Sequence, residues 1–590
     1  MTVPEGLNGT QPSNGTQASS GTQATNGTSN GTQASNGTQP SNGTHVSANW
    51  VPVTDEPLFT KRKLRVVCVG AGFSGLMLAY KWRHELEMSD YVDLTIYEKN
   101  ADVGGTWLEN RYPGVACDVP AHIYTFSFEP NPDWSSFYAS GPEIWDYIKR
   151  TTKKYNLDER VQLKSKVVST IWDNAKGKWN IKVETDSGVK DDVADILING
   201  AGILNKWQWP EIKGLRSFKG KLLHSASWDE TTDWTGKRVA VIGNGSSAIQ
   251  MVPKMQPKAA SITNYIRSAT WISANYAAEF TPEGKNFQYT EEQKQRFKDH
   301  PEELFKLRKD IEHGFNQFFY ALLNDSPQQL AVGVAFKKSM EERLNYDPEL
   351  CAKLIPDWKV GCRRLSPGEG YLESLQAKNA VIEFSEIEEI TETGIKTAKS
   401  HEDFDIIVCA TGFDVSFSPF WELVGKDGVR LADQWRETPE AYFGICAPHI
   451  PNYFIFNGPN CPVGHGSLLA VMEWTADWVL RWCTKIASED IKSVIVDSGA
   501  ADDYNVYSQE FLKKTVWTSG CRSWYKNNKK DGRVTAMYAG SILHYKEILE
   551  SFRTEDFHFE YNSRNRFRLM GNGLTQREKE GGDLSFYVTK

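Results

Sequence analysis

Short apolar runs, each closed by glycine, recur along most of this chain and are separated by polar or helical stretches. Leu64-Arg-Val-Val-Cys-Val69 predicts a buried strand, and Gly70-Ala-Gly-Phe-Ser-Gly75-Leu-Met-Leu-Ala-Tyr80 predicts a turn running into a helix. Val92-Asp-Leu-Thr-Ile-Tyr97 reads as the next strand. The same sequence of strand, glycine turn and helix returns at Arg238-Val-Ala-Val-Ile-Gly243-Asn-Gly245-Ser-Ser-Ala248-Ile-Gln250. Two further apolar runs, Asp195–Gly202 and Phe404–Asp414, read as strands where the chain crosses between two nested units. From about Trp271 to Pro356 the pattern becomes charged and helical, enclosing an aromatic run at His313–Leu323 that suits helix core or pocket lining.

The glycine turns carry chemistry. In G-x-G-x-x-G the first glycine permits the tight turn, the second admits a pyrophosphate to the backbone, and the third lets helix pack on strand. After Gly70, Gly72 and Gly75, the second strand ends in Glu98, placed to hydrogen-bond a ribose hydroxyl. After the second motif the corresponding region holds Arg267-Ser268 instead. A guanidinium can grip a 2′-phosphate that a carboxylate would repel. One free ribose and one ribose phosphate imply FAD at the first site and NADPH at the second.

Composition narrows the rest. The 590 residues suit two to four domains, and a net charge of −8 disfavours nucleic-acid binding. The nine cysteines contain no CxxC pair, so reduced thiols in the cytoplasm are expected, with no metal cluster. Residues 1–50 begin without a secretory signal and contain a low-complexity tract with six Asn-Gly-Thr triplets, expected to be a disordered tail. No apolar run is long enough to span a membrane.

A flavin with a nicotinamide supports disulfide reduction, quinone or ferredoxin reduction, or oxygen activation. Cys117 stands alone where a disulfide reductase would need two nearby cysteines. Oxygen activation needs a sheltered, negatively charged oxygen species and a fixed cation to stabilise it. Phe218-Lys-Gly220-Lys-Leu-Leu-His224-Ser-Ala-Ser-Trp228-Asp229 resembles the fingerprint of type I Baeyer–Villiger monooxygenases. Gly104-Gly-Thr-Trp107 with Asn110-Arg-Tyr-Pro113-Gly and Asp118 is similar to a second signature of that family. The resemblance runs from about Leu64 to Tyr545 and extends in style to enzymes of fungal secondary metabolism.

The resemblance implies an α/β fold of two interleaved Rossmann-like domains with a helical insertion. The expected division gives 51–205 and 386–590 to FAD, 206–270 and 357–385 to NADP, and 271–356 to the insertion. Gly70, Gly72, Gly75 and Glu98 would hold the ADP half of FAD. Thr106, Trp107, Leu108, Glu109, Asp118 and Tyr124 would lie along the flavin, and the backbone of Val167 would meet the adenine. Gly243, Asn244, Gly245, Ser246, Ser247, Ala248 and Gln250 would wrap the NADP pyrophosphate, with Arg267 and Ser268 at the 2′-phosphate. In Val360-Gly-Cys-Arg363-Arg364, Arg363 would contact NADP and Arg364 would be catalytic, oriented by Asp118; Trp524 would lie near the nicotinamide. In the segment linking the domains, a structural hydrogen-bonding role suits His224 and a packing and hinge role Trp228, while His465 stays unassigned. The implied activity inserts one oxygen atom beside a ketone carbonyl, on a bulky or polycyclic small molecule, using O2 and no stable protein partner. Oxygenation of nitrogen or sulfur is the alternative.

Overall fold

Strand β1 (Leu64–Val69) is the centre of the first sheet because five of its six side chains are buried, leaving only Arg65 partly exposed. Such a strand needs cover on both faces, which a parallel sheet provides. It leads through the glycine turn into α1 (Phe73–Tyr80) and then β2 (Val92–Tyr97). β2 lies parallel to β1 from Leu64↔Val92 to Val69↔Tyr97. On the other side lies β3 (Ile196–Asn199), paired from Val66↔Ile196 to Val69↔Asn199. Val161–Gln162 and Tyr453–Ile455 complete this five-stranded sheet. The model is a computed structural model of the chain and describes residues 47–589; apart from its last few residues, the tail expected over 1–50 lies outside the described residues.

The second sheet repeats the plan. β4 (Arg238–Ile242) runs into α2 (Ser246–Met255) and β5 (Ser261–Tyr265), with β4 and β5 in parallel register. β6 (Ile406–Cys409) lies on the other side of β4, and Ala380–Glu383 and Lys221–His224 form the two edges. The expected boundary at residue 386 precedes β6, which pairs within this second sheet. The second sheet reclaims the chain at β6, after a three-stranded antiparallel excursion over 387–403 that the apolar pattern does not announce. The short strands on either side of that excursion carry one continuous fold unit, so the return to the first unit comes after Cys409.

The charged stretch forms helices Glu291–Asp299, α3 (Pro301–Gln317), Pro327–Arg343 and Pro348–Leu354. Thr290 starts the first of them: its hydroxyl accepts from Gln293 N, while Gln293 Oε1 accepts from Thr290 N. α3 reaches the first nucleotide unit, where Arg308 Nε donates to His122 O over 3.0 Å. The aromatic run continues past α3 as a single 3-10 turn at Phe318–Leu322. Among the described residues no helix is long and apolar enough to cross a membrane.

Candidate active site

The two glycine turns have the same backbone geometry. Gly70 and Gly243 sit at φ +104° and +114°, where a side chain would be strained. Gly72 and Gly245 precede α1 and α2 in extended conformation, at φ −83° and −80°. Neither helix receives a side-chain N-cap, so the N–H groups of each first turn are left available to an anion. A Cβ at Gly75 would stand 2.1 Å from Gly70 O, which shows how closely the helix is drawn against the turn. Around Gly245 nothing lies within 4 Å of such a Cβ, so the backbone is open to a phosphate. These two cradles fit the pyrophosphates of FAD and NADP.

Glu98 is buried at the tip of β2, where Oε2 accepts from Ala71 N at 2.9 Å and Oε1 from Asn100 N at 2.8 Å. Oε1 also accepts from Asn100 Nδ2 at 2.8 Å, so it is Oε2 that retains acceptor capacity for a ribose hydroxyl. Ser165 N donates to Glu98 O, which sets the strand carrying buried Val167 beside the same corner. The short helix Thr106–Glu109 lies next to it. Trp107 Nε1 donates to the Tyr124 hydroxyl over 3.2 Å, Leu108 O accepts from Arg111 Nε, and Glu109 pairs with Lys99 at 2.7 Å. Thr106 O accepts from Asn110 Nδ2.

The second cradle is braced differently. Asn244 Nδ2 donates to Ser268 O at 2.7 Å, joining the glycine turn to the Arg267-Ser268 segment, and the Ser246 and Ser366 hydroxyls are 2.6 Å apart. Ala248 is fully buried, while Ser247 bonds the Tyr112 hydroxyl. Gln250 faces the first unit: its Oε1 accepts from Tyr112 Oη at 2.8 Å and its Nε2 donates to Ala116 O at 3.0 Å. Its side chain thus joins the two units. Arg267 and Arg363 make no ion pair with a carboxylate among the described residues, and burial together with Arg267 lowers the proton affinity of Arg363. Two neighbouring cations without a carboxylate fit a phosphate group.

Between the cradles, Arg364 Nη2 donates to Asp118 Oδ2 over 2.7 Å. The Arg364 side chain is 39% exposed and Asp118 16%, yet Tyr276 and Tyr525 stand close to both. The accessible part of the guanidinium therefore opens into an interior recess. The Asp118 charge raises the Arg364 proton affinity against the cost of desolvation, so the guanidinium stays cationic. Burial pushes the Tyr525 phenol up to about 12, although Arg364 opposes the rise. Tyr276 donates to Leu365 O at 2.9 Å, fixing the backbone next to Arg364.

Three features escape the sequence reading. Tyr276 has no motif around it, and Tyr525 reads as the neighbour of Trp524, whose ring it meets at 4.7 Å. The third corrects the expectation that the thiols are all reduced. Cys362 and Cys521, 159 residues apart with Cα atoms at 6.2 Å, form a disulfide. The bond joins the residue before Arg363-Arg364 to the segment of Trp524, and long separation hides such a pair from spacing arguments. His224 takes its contacts elsewhere: Nδ1 accepts from Ala226 N, Nε2 meets Thr411 Oγ1 at 3.3 Å, and the ring stacks on Trp207. Burial pushes it down to about 4, leaving a neutral ring that closes a turn. Trp228 packs against Trp234.

Comparison with known proteins places this site in a family. Residues 63–297, which include both glycine turns, match the family described as FMO-like, flavin-binding monooxygenase-like. The chain is 51% identical over 550 residues to the FAD-binding monooxygenase tazF of Aspergillus terreus, covering 92% of this chain and 98% of that protein. It is 34% identical to a Baeyer–Villiger monooxygenase of Pseudomonas aeruginosa, covering 84% of this chain and 92% of the relative. Among solved structures, an oxidised steroid monooxygenase bound to NADP matches with a TM-score of 0.73 and 26% identity, over 84% of this chain and 99% of that one. Cyclohexanone monooxygenase from Rhodococcus sp. Phi1, bound to NADP+, matches the fold with a TM-score of 0.73 at 24% identity, over 85% of this chain and all of that one. The chain belongs to the flavin-binding monooxygenases, and within them it is of the Baeyer–Villiger type.

Proposed function

We propose that the protein uses FAD, NADPH and O2 to convert a bulky or polycyclic ketone into an ester or lactone. When bound, the flavin accepts a hydride from NADPH and activates dioxygen. One oxygen atom enters the bond between the carbonyl and its neighbouring carbon, and the other leaves as water. The observation that carries this reading is the Arg364–Asp118 pair at 2.7 Å between the two nucleotide cradles.

The residues divide the work. The Gly70–Gly75 turn with Glu98 anchors FAD, while the Gly243–Ala248 turn with Arg267, Ser268 and Arg363 holds NADP. Thr106, Trp107, Leu108, Glu109 and Tyr124 shape the flavin side, Val167 the adenine side, and Trp524 the nicotinamide side. Gln250 contributes by fixing the separation of the cradles. Attack on a ketone places negative charge on its oxygen, and a permanently cationic guanidinium in a recess stabilises that charge far better than water does. Asp118 offsets the desolvation of Arg364 and fixes its direction.

Once cofactors and substrate fill the recess, its aromatic walls would keep water from the Arg364–Asp118 pair, which would strengthen these interactions. A substrate of the polyketide or terpenoid kind suits this setting, and the likeness to an FAD-binding monooxygenase of the fungus Aspergillus terreus is in keeping with a fungal metabolite. The test is incubation of the purified protein with NADPH and a panel of linear, monocyclic and polycyclic ketones, followed by mass spectrometry. Products carrying one added oxygen as an ester are expected. Oxygenated amines or sulfides in the absence of any ester would favour the N- or S-oxygenating alternative and overturn the reading.

A further inference from the structure

Arg364 sits on a stretch of backbone, 358–365, that is neither helix nor strand, although Val360, Cys362 and Leu365 within it are buried. Carbonyls in such a stretch have no ladder and must find donors elsewhere. Three side chains of the helical insertion provide them. Trp271 Nε1 donates to Trp358 O at 2.8 Å, Gln329 Nε2 to Val360 O at 3.0 Å, and Tyr276 Oη to Leu365 O at 2.9 Å. Arg363 and Arg364 lie between the second and third of these bonds.

Gln329 is the least expected of the three. In the 17-residue helix Pro327–Arg343 only Gln329 and Met340 are buried, and the glutamine is 4% exposed. A buried amide is costly unless its hydrogens are used. Here Nε2 spends one on Val360 O and the other on Ala321 O, in the 3-10 turn Phe318–Leu322. The amide therefore bridges that turn and the arginine-bearing stretch. The two also pack tightly: a Cβ at Gly361, which lies at φ +90°, would stand 2.8 Å from Leu322 Cδ2 and 3.1 Å from Val516 Cγ2. The backbone is thus pinned just before the arginine pair, held through the Cys362–Cys521 bond beside it, and pinned again just after it by Tyr276.

We propose that Gln329 is a positioning residue for ester formation: by holding Val360 O it fixes the backbone from which Arg364 reaches into the recess, and so aims the guanidinium at the ketone oxygen. Arg364 supplies the charge, and Gln329 acts only through Val360. The inference rests on the reading of Arg364 as the group that stabilises charge on that oxygen, and it gives the helical insertion a part in the reaction. A displacement of about 1 Å caused by a change far from the chemistry can cost on the order of a hundredfold in rate. Both glycine turns lie on other segments, so reduction of the flavin at saturating NADPH does not depend on Gln329 in the same way.

The experiment uses the FAD-loaded full chain and the ketone of the panel above that the wild type converts fastest. Gln329→Met keeps the length of the side chain and removes both donors. Stopped-flow reduction at saturating NADPH is expected to stay within about threefold of wild type, while kcat for ester formation falls by about ten- to a hundredfold with KM for the ketone little changed. Gln329→Lys keeps donors for both carbonyls, as the buried Lys526 does between Ser519 O and Lys530 O, and should recover most of the loss. Should Gln329→Met not fold, Tyr276→Phe removes only the bond to Leu365 O and is expected to show the same split. Ester formation at the wild-type rate in Gln329→Met, or in Tyr276→Phe where that variant stands in, would overturn the proposal. Equal losses of flavin reduction and ester formation would overturn it too, by reducing Gln329 to a general structural role, as would no recovery in a Gln329→Lys protein with the wild-type melting temperature. A wild type that forms no ester from any ketone sinks the oxygenase reading and the proposal together, whereas ester made equally by wild type and Gln329→Met sinks the proposal alone.

Discussion

Arg364 owes its place in the account to a charge that cannot be titrated away and to Asp118 at 2.7 Å, which holds it in the recess. Replacing it with alanine should leave FAD binding and NADPH-driven flavin reduction intact, because both glycine turns and Glu98 lie on other segments and the neighbouring Arg363 is retained. Ester formation should fall by roughly 10²–10³-fold, the usual cost of losing one oxyanion stabiliser. Stopped-flow reduction alongside product analysis checks both halves. Asp118 and Arg364 were legible only through family signatures, since an Arg-Arg pair by itself reads as surface charge. Tyr276 offered no signal at all, being joined to Leu365 purely by folding.

Glu312 shows burial acting in the opposite sense. Desolvation pushes its carboxyl up to about 7, opposed by Ser467 and Arg308, against an ordinary value of 4.5. Between these values the folded state keeps a proton that the unfolded chain has released. Stability therefore falls as pH rises from about 4.5 to about 7 and is level above that, by at most about 3 kcal/mol. Glu312→Gln should remove this component and raise the melting temperature at pH 8 relative to wild type, with little difference at pH 5, in thermal scans at those two values.

At the scale of elements, the two strand, turn and helix units were readable because their first glycines, Gly70 and Gly243, both adopt positive φ, while the later glycines are kept for different reasons. Gly75 admits no Cβ, since one would lie 2.1 Å from Gly70 O, whereas Gly245 faces open space. Gly75→Ala should accordingly lower soluble yield and FAD content together. Gly245→Val should keep the wild-type melting temperature and FAD content but weaken NADPH binding by an order of magnitude or more, as shown by titration of the purified variant. The antiparallel excursion over 387–403 sits between two strands of one sheet, and short strands of that kind resemble the end of a unit. The helices of the insertion were foreseeable from their charged pattern, and the structure adds a capping box at Thr290. Their placement over His122 was not, because a single hydrogen bond from Arg308 has no sequence spacing to betray it.

At the scale of the whole molecule, chain segments far apart in sequence meet at the recess, and the Cys362–Cys521 disulfide ties two of them together. Closing so long a loop stabilises the folded state by roughly 2–5 kcal/mol. Cys521→Ser should lower the melting temperature by a few degrees, and alkylation of the unreduced, denatured protein should label the seven free cysteines and spare two. Labelling of all nine would contradict the bond. Gln250 makes a second tie between the nucleotide units, fixing how far apart the cradles stand.

The central claim is that this geometry places one atom of dioxygen into a carbon–carbon bond beside a carbonyl. The most direct measurement supplies isotopically heavy O2 and NADPH with a cyclic ketone and locates the label in the product by mass spectrometry and NMR. The account predicts a ring-expanded ester with a single heavy atom at the bridging oxygen, lost when Arg364 is replaced by alanine. NADPH-dependent consumption of the labelled oxygen with the ketone left intact, or label arriving without insertion into the ring, would contradict it.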